Sequence, residues 1–318
     1  MREDPSISPT PAVFTPAPWT GGRRSSAAIT PRRLLVHLAL FLGAFYTVTL
    51  AGSFTAAESV LLAEPDLSSA TALNPRFLVL GLPYSVCLLA ILAVHEMGHY
   101  VACRRYGVDA SLPYFLPGIP ILIGTFGAFI RIRSPFPNRN VLFDIGVAGP
   151  IAGFLIAVPV LVYGIVSAQP VPQVGDLMTI GEPLLFTWLT LWLGPEVPAG
   201  HVILVSGPLM AGWVGCLVTA TNLFPVGQLD GGHACYAISR RFHRLASIAL
   251  IAAFVVMGVL VFPAWLVLAT LLVAIGPKHP PVVDESVRLS RGRLIVGALC
   301  LLILVVCFIP TPLPTPDL

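Results

Sequence analysis

The sequence predicts an all-α polytopic membrane protein of about six to seven transmembrane helices, with a short membrane-associated β-hairpin between the second and third helices. The chain of 318 residues is 56% hydrophobic and only 10% charged, which is far from the composition of a soluble globular domain. Apolar runs of about 20 residues, long enough to cross a bilayer as helices, recur along the chain. The net charge is only +3, so no nucleic-acid partner is indicated, and the lipid bilayer is the expected environment.

Seven apolar segments are predicted to be helical. The sixth is too short to cross a bilayer alone, and we expect it to form a tight hairpin with the fifth, broken at Pro263. Before the first segment, residues 1–33 are rich in Pro, Ser, Thr and Ala and are predicted to form a disordered cytoplasmic tail. The seven segments are residues 34–50, 77–102, 141–166, 202–223, 246–262, 264–275 and 294–309.

The charge distribution orients these helices. Seven crossings place all but one of the 18 basic residues on the side of the N-terminus, and only Arg76 falls on the opposite side. The positive-inside rule therefore predicts that the N-terminal side is the cytoplasm. The six cysteines are scattered and include no CxxC pair, so we interpret them as small apolar core residues rather than as disulfides or metal ligands.

One polar motif lies inside the second apolar segment. His95, Glu96 and His99 form an HExxH pattern, whose histidines lie one helical turn apart and project from the same face. That spacing suits a single metal ion, and Glu96 is placed to act as a general base for an attacking water. Counting along the helix from Arg104 puts His95 about 13 to 14 Å inside the membrane boundary. Ionisable residues at that depth are costly unless they bind an ion or line a wet cavity; the alternative is a helix that merely exposes three polar residues at the interface.

A third ligand is expected from another part of the chain, because catalytic zinc generally takes three protein ligands. From the residues alone, Asp144, Asp230 and His233 are the candidates at or near the membrane. Asp230 follows Pro225 and Gly227 in the stretch TNLFPVGQLDGGH, where the helical pattern is interrupted. Such a break is tolerated at membrane depth where the backbone lines a water-filled cavity. His233 has two open interpretations, an interfacial histidine or a residue that orients the Asp230 carboxylate.

Together the two motifs resemble those of the site-2 proteases, the intramembrane zinc metalloproteases that cut transmembrane substrates. HEMGH is followed on a later apolar segment by NLFPVGQLDGG, which is similar to the NxxPxxxLDG segment of that family. The resemblance implies that His95, His99 and Asp230 bind one Zn²⁺ per chain and that Glu96 is the catalytic base. The matching positions of the second motif are Asn222, Pro225, Leu229, Asp230 and Gly231.

The stretch between the two motifs is similar to bacterial and plastid members of the family. It reads GTFGAFIRIRSPFPNRN and then FDIGVAGPIAGF. The alternation from Ala128 to Arg133 predicts a short strand, and Gly124 and Gly127 would let a hairpin bend into the membrane surface. We expect an extended substrate segment to pair with this strand; the alternative is a surface loop solvated by its arginines. The residues expected to contact substrate here are Ala128, Phe129, Ile130 and Arg131.

The predicted function is therefore an intramembrane zinc metalloprotease that hydrolyses peptide bonds within or near transmembrane segments of membrane-protein substrates. Asn222 is expected to hold the substrate backbone or, alternatively, to cap the broken helix. A metal-ion transporter and a proteolytically inactive scaffold are the rival functions. Transport needs no base beside the first ligand, and the intact set of ligands and base argues against a scaffold.

The organisation that follows from this prediction has a catalytic membrane core. Residues 77–241 form the core, residues 34–76 the first helix and an external loop, and residues 242–318 the C-terminal helices and tail. The active site is expected near the cytoplasmic side. The expected membrane is the bacterial cytoplasmic membrane, with a plastid membrane as the alternative, and the oligomeric state stays open.

Overall fold

The computed structural model describes residues 30–63, 75–173 and 181–311; most of the predicted tail lies outside these ranges. Within them the chain is mostly helical and has two small antiparallel sheets of two strands each. The helices are α1 (Pro31–Ala63), α2 (Pro75–Arg105), α3 (Arg139–Val166), α4 (Leu184–Leu193), α5 (Gly207–Asn222), α6 (Asp230–Ile238), α7 (Arg240–Leu260), α8 (Ala264–Ile275) and α9 (Arg291–Cys307). The strands are β1 (Tyr114–Pro117), β2 (Thr125–Phe129), β3 (Pro170–Pro172) and β4 (His201–Ile203).

Four helices of the described ranges, α1, α2, α3 and α7, are long and apolar enough to cross a membrane. The protein is therefore a multi-pass membrane protein. Each of the seven predicted segments coincides with a helix, but α5, α8 and α9 have only 16, 12 and 17 residues. The total of about six to seven spans accordingly stays a prediction.

Helices α5 and α4 differ from the prediction for local reasons. α5 begins at Gly207 rather than at residue 202, because His201–Ile203 pairs with β3 and the Ser206 Oγ caps the helix by accepting a hydrogen bond from the Leu209 N–H. α4 was not predicted at all, since its 10 residues are too few to cross a bilayer.

Helix α3 lies at the centre of the helical packing and contacts α2, α5 and α6. Its backbone approaches that of α5 closely: a Cβ added at Gly212 would lie 2.6 Å from the Leu161 Cα. Leu88, Leu161 and Val214 are fully buried in the surrounding core. Because lipid is as apolar as these side chains, close packing through small residues holds such helices together.

The hairpin of β1 and β2 lies between α2 and α3 along the chain. Tyr114 pairs with Phe129, and Phe115 pairs with Ala128. The second strand begins at Thr125, earlier than the predicted start at Ala128, and its regular ladder ends at Phe129. A hairpin is thus present between α2 and α3 along the chain, but its second strand is displaced towards the N-terminus of the predicted one; its association with the membrane surface stays a prediction.

The ladder is interrupted after Phe129 for a chemical reason. On the opposite strand, Pro113 has no N–H to donate. On the β2 side, the N–H of Arg131 donates a hydrogen bond of 2.9 Å to the Ser111 Oγ instead of to a backbone carbonyl. Pairing resumes only at the isolated bridge between Ala110 and Ile132.

Candidate metal centre

Two histidine rings lie side by side near the C-terminal end of α2. His95 and His99 are buried, and their Nε2 atoms are 3.2 Å apart. The His99 Nδ1–H donates a hydrogen bond of 2.7 Å to the Ile145 carbonyl. A neutral imidazole carries one proton, so this bond leaves the lone pair of the His99 Nε2 free to bind a metal.

Glycines of α3 allow its backbone to lie against these rings. Gly149 and Gly153 are spaced so that they share one face of the helix. A Cβ at Gly149 would lie 2.0 Å from the His99 Nε2, and one at Gly153 would lie 3.1 Å from the His95 Nδ1. The metal centre is therefore bounded on this side by main chain rather than by side chains.

A break between α5 and α6 positions the third predicted ligand. Residues 223–229 are not helical, and Asp230 is the first residue of α6. The chain turns tightly here: Gly227 has a φ of 53°, which favours glycine, and a Cβ at Gly231 would lie 1.9 Å from the Leu223 carbonyl oxygen. The glycines of the second motif thus permit the turn that brings the carboxylate to the histidines.

Side chains of α7 stabilise this break. The His243 Nε2–H donates to the Gly227 carbonyl at 3.0 Å, and the Ser247 Oγ–H donates to the Pro225 carbonyl at 3.0 Å. Backbone carbonyls released from a helix within a membrane need such partners, because lipid offers none. The broken segment is therefore held in a defined conformation.

The three predicted ligand atoms form an equilateral triangle. The Asp230 Oδ2 lies 3.2 Å from the Nε2 of His95 and 3.2 Å from the Nε2 of His99, the same distance that separates the two rings. A tetrahedral zinc site with bonds of about 2.0 to 2.1 Å has neighbouring ligands about 3.3 to 3.4 Å apart. Among the described residues, this is the one group of three such side chains that could hold a metal. Its donor set and spacing fit zinc.

Glu96 lies beside this triangle and is also buried. His99 and Asp230 are close enough to act on its carboxyl group electrostatically, and so is the backbone N–H of Ile130, the residue that follows β2. The carboxyl group is thus within reach of both the ligand triangle and the end of the hairpin strand. A carboxylate so placed can accept and return a proton at the metal centre.

Comparison with known proteins agrees with this geometry. The sequence model of peptidase family M50 matches residues 83–263, which is more than half of the chain. The chain belongs to peptidase family M50. The predicted membership of the site-2 proteases, a family of zinc metalloproteases, is thereby confirmed.

The M50 chain also has plant relatives. It is 31% identical over 244 residues to the probable zinc metalloprotease EGY1, chloroplastic, of Arabidopsis thaliana, covering 74% of this chain and 44% of that protein. It is 31% identical over 249 residues to the probable zinc metalloprotease EGY2, chloroplastic, of Oryza sativa subsp. indica, covering 76% and 45%. The corresponding EGY3 of the same rice is 30% identical over 248 residues, covering 70% and 42%. The chain thus spans less than half the length of these curated relatives.

Two other candidate ligands of the M50 chain have different partners. The Asp144 carboxylate accepts two hydrogen bonds from the Arg293 guanidinium, at 2.8 and 2.6 Å, and one from the Tyr106 hydroxyl. The His233 Nδ1 shares a hydrogen bond of 2.7 Å with the His279 Nε2. Neither side chain belongs to the triangle.

The predicted substrate contacts lie in two places. Ala128 and Phe129 end β2, and Ile130 and Arg131 follow it, with Phe129 and Arg131 exposed. Asn222 is the last residue of α5 and is partly exposed. Within the described ranges its side chain makes no hydrogen bond, so it does not cap the broken helix.

Besides the two α7 side chains, sequence reasoning missed three groups around the centre. The Ile145 carbonyl bonds the His99 ring, His279 bonds His233, and Glu285 bonds Tyr236 of α6. A backbone carbonyl has no sequence signal, and the side chains of His279 and Glu285 lie in the connection between α8 and α9, far along the chain from the motifs. Their partners can be identified only once the fold is known.

Proposed function

We propose that the protein is an intramembrane zinc metalloprotease that hydrolyses peptide bonds within or near transmembrane segments of membrane-protein substrates. His95, His99 and Asp230 are its zinc ligands, and Glu96 is its general base. The observation that carries the proposal is the 3.2 Å triangle of two Nε2 atoms and one Oδ2 atom beside a buried glutamate. The relatives named as probable zinc metalloproteases support it.

The substrate poses a physical problem that the hairpin is suited to solve. A transmembrane helix hides its scissile carbonyls in its own hydrogen bonds, so a segment must unwind before hydrolysis. An extended segment beside β2 would replace those bonds by strand addition. Because the Ile130 N–H lies near the Glu96 carboxyl group, a segment that continues along this strand passes the base.

The position of the hairpin supports its association with the membrane. The Tyr84 hydroxyl donates to the Ile123 carbonyl at 3.0 Å, and Tyr84 lies about 18 Å from Glu96 along α2. The hairpin therefore runs beside α2 from the metal centre towards the helix's N-terminal half. Its apolar tip is highly exposed, with Ile121 at 81% and Leu122 at 64%. Such a surface is favourable in lipid and costly in water.

The reaction assigns one task to each group. When bound by its three ligands, Zn²⁺ supplies the Lewis acidity that activates water and polarises the carbonyl. The Glu96 carboxylate accepts a proton from the water as the oxygen bonds to the carbonyl carbon. It returns that proton to the amide nitrogen as the C–N bond breaks. We assign to Asn222, whose amide makes no hydrogen bond within the described ranges, the task of holding the substrate backbone.

The orientation follows from charge. The distribution of basic residues predicts that the N-terminus and the metal centre lie near the cytoplasmic side, and we expect the substrate to reach the centre from the bilayer. The relatives named above are chloroplastic proteins, so they do not support the expected bacterial cytoplasmic membrane and favour the plastid alternative. The transporter alternative is not favoured, because transport gives no task to Glu96.

The test uses the purified full chain, loaded with zinc, and a transmembrane substrate in detergent. Glu96→Gln should bind one zinc per chain as the unaltered protein does, but cleave about 100-fold to 10,000-fold more slowly, since only the base is lost. Asp230→Ala should lose both zinc and cleavage. Glu182→Gln, an exposed acid before α4, is the matched control and should change neither.

Three outcomes would contradict the proposal. If Glu96→Gln cleaves at the unaltered rate, the base is another residue. If Asp230→Ala keeps full zinc, the third ligand lies elsewhere, with His233 as the next candidate. An unaltered protein that moves zinc into liposomes but cleaves no transmembrane substrate would be a transporter.

A further inference from the structure

The connection between α8 and α9, residues 276–290, contacts the helix that carries Asp230. It lies beyond the residues that match the family, 83–263. Val282 anchors it in the main hydrophobic core, where it is 5% exposed. The N–H groups of Val283 and Asp284 donate to the carbonyls of Phe136 and Pro137, at 3.0 and 2.9 Å. The connection is thereby fixed to the segment that leads into α3.

Glu285 in this connection joins three helices of the site. Its Oε1 accepts a hydrogen bond of 2.7 Å from the Tyr236 hydroxyl of α6. Its Oε2 accepts a hydrogen bond of 2.9 Å from the Nε of Arg139, the first residue of α3, and forms an ion pair of 2.9 Å with the Nη2 of the same residue. Arg240, the first residue of α7, lies 3.8 Å from the same carboxylate. A single side chain thus ties α6 to α3 and α7.

The environment of Glu285 keeps it charged. Burial alone would raise the pKa of its carboxyl group. The hydrogen bonds from Tyr236 and Arg139, with the charge of Arg240, outweigh burial and hold the pKa below its usual value. Charged carboxylates make the stronger hydrogen bonds, so these contacts are well suited to fixing a position.

His279 makes a second contact with α6. Its Nδ1–H donates to the Pro280 carbonyl at 2.6 Å, and burial lowers its pKa to about 4, so the ring is neutral near pH 7. The His279 Nε2 must then accept the 2.7 Å hydrogen bond from the His233 Nδ1–H. The same ring stacks on Tyr236 with centroids 4.3 Å apart. His233 and Tyr236 are one turn apart, so the connection holds one face of α6.

Helix α6 needs such support. It has only nine residues, and its N-cap residue, Leu229, makes no side-chain capping bond. A helix this short is marginal by itself, so the place of Asp230 depends on what holds α6 from outside. Zinc sites tolerate displacements of only about 0.2 Å in ligand distance.

We propose that Glu285 and His279 are positioning residues for the metal centre. Their bonds to Tyr236 and His233 hold α6 against α3 and keep the Asp230 carboxylate within coordinating distance of the two α2 histidines. This inference rests on the proposed zinc function and names residues outside the two sequence motifs. It predicts that the metal centre weakens when the connection between α8 and α9 releases α6, although no ligand has changed.

The experiment compares full-length variants in detergent. Glu285→Ala removes the hydrogen bonds to α6 and α3 and the charge that faces Arg240 of α7. Asp284→Ala is the matched control, because it removes the neighbouring carboxylate, which is exposed and bonds only Ser286 within the same connection. Zinc affinity is measured by competition with a chromophoric chelator, and the d–d absorption of the Co²⁺-loaded protein reports the ligand geometry. Thermal unfolding of the metal-free variants is recorded beside both.

The expected result is a rise of about 10-fold in the zinc dissociation constant for Glu285→Ala, the scale on which outer partners act, with an altered Co²⁺ spectrum. Asp284→Ala should match the unaltered protein. If Glu285→Ala only lowers the unfolding temperature while affinity and spectrum stay unchanged, the inference is overturned. An equal loss in Asp284→Ala would overturn it too.

A second variant covers a failure of Glu285→Ala to fold. Tyr236→Phe removes one hydroxyl and keeps the ring volume, so the stack with His279 is retained. It should raise the zinc dissociation constant about 3-fold; an unchanged constant would overturn the inference. If the unaltered protein binds no zinc, the proposed function itself fails, which separates the two questions.

Discussion

The face of α3 that meets the histidines gives the sharpest test of the metal centre. A Cβ introduced by Gly149→Ala would lie 2.0 Å from the His99 Nε2, 2.4 Å from its Cδ2 and 2.5 Å from its Cε1, whereas ordinary van der Waals contact begins at 3.4 Å. The ring or one of the two helices must therefore move by about 1.4 Å. The ring has little freedom to move alone, because the Ile145 carbonyl holds its other nitrogen at 2.7 Å.

The expected loss of zinc affinity follows from this displacement. A shift of that size is several times the roughly 0.2 Å by which zinc–ligand distances vary. We therefore expect Gly149→Ala to raise the zinc dissociation constant at least about 100-fold, which is about 2.8 kcal/mol. The Cβ added by Gly153→Ala would lie 3.1 Å from the His95 Nδ1, so the ring needs to move by only a few tenths of an ångström. The zinc affinity of this variant should fall by about 10-fold or less.

The assay is zinc competition with a chelator, with circular dichroism as the check that each variant is folded. Gly297→Ala serves as the control, because the nearest atom to its added Cβ is 3.6 Å away on Phe143; its zinc affinity should equal that of the unaltered protein. A folded Gly149→Ala protein with unaltered affinity would show that the His99 Nε2 does not bind the metal from this position.

Two further predictions concern stability. Ser247→Ala leaves the Pro225 carbonyl without its donor and should lower the free energy of unfolding by about 1 to 3 kcal/mol, measured by denaturant titration in detergent; no change would mean that another donor replaces it. The folded-state pKa of Glu285 lies below its usual value, because hydrogen bonds from Tyr236 and Arg139 and the charge of Arg240 outweigh burial. The charged Glu285 therefore contributes fully to the stability of the folded protein above pH 4.5, the ordinary pKa of a glutamate. This contribution is lost as the pH falls through the folded-state pKa. The unfolding temperatures of the unaltered protein and Glu285→Gln should therefore differ above pH 5 and converge in acid, and a gap that persists unchanged in acid would contradict this reasoning.

Hydropathy located the long helices because each is a continuous apolar run, a property of neighbouring residues. The HExxH motif could be found for the same reason, because His95, Glu96 and His99 lie within one helical turn of each other in the sequence. Asp230 could be proposed as the third ligand because prolines and glycines mark the break before it and because the second motif resembles that of the family. Each of these features depends on a short stretch of sequence, and for that reason it could be predicted.

Side-chain contacts between residues far apart in the sequence could not be predicted. Asp144 was a candidate ligand until the structure placed it against Arg293, which belongs to α9. His233 was expected to be interfacial or to orient Asp230, and its partner is His279. The choice among such polar partners depends on which elements pack together, and no periodicity in the chain carries that information.

The glycine face of α3 has a mechanical consequence for the metal centre. A site walled by side chains can absorb a small separation of its helices, since a neighbour adopts a new rotamer and refills the gap. The backbone of a glycine has no side chain that could fill such a gap. If His95 and His99 bind the ion as proposed, a solvent, lipid or bound molecule that separates α2 from α3 changes the coordination geometry directly, and we expect the ion to be released before either helix unfolds.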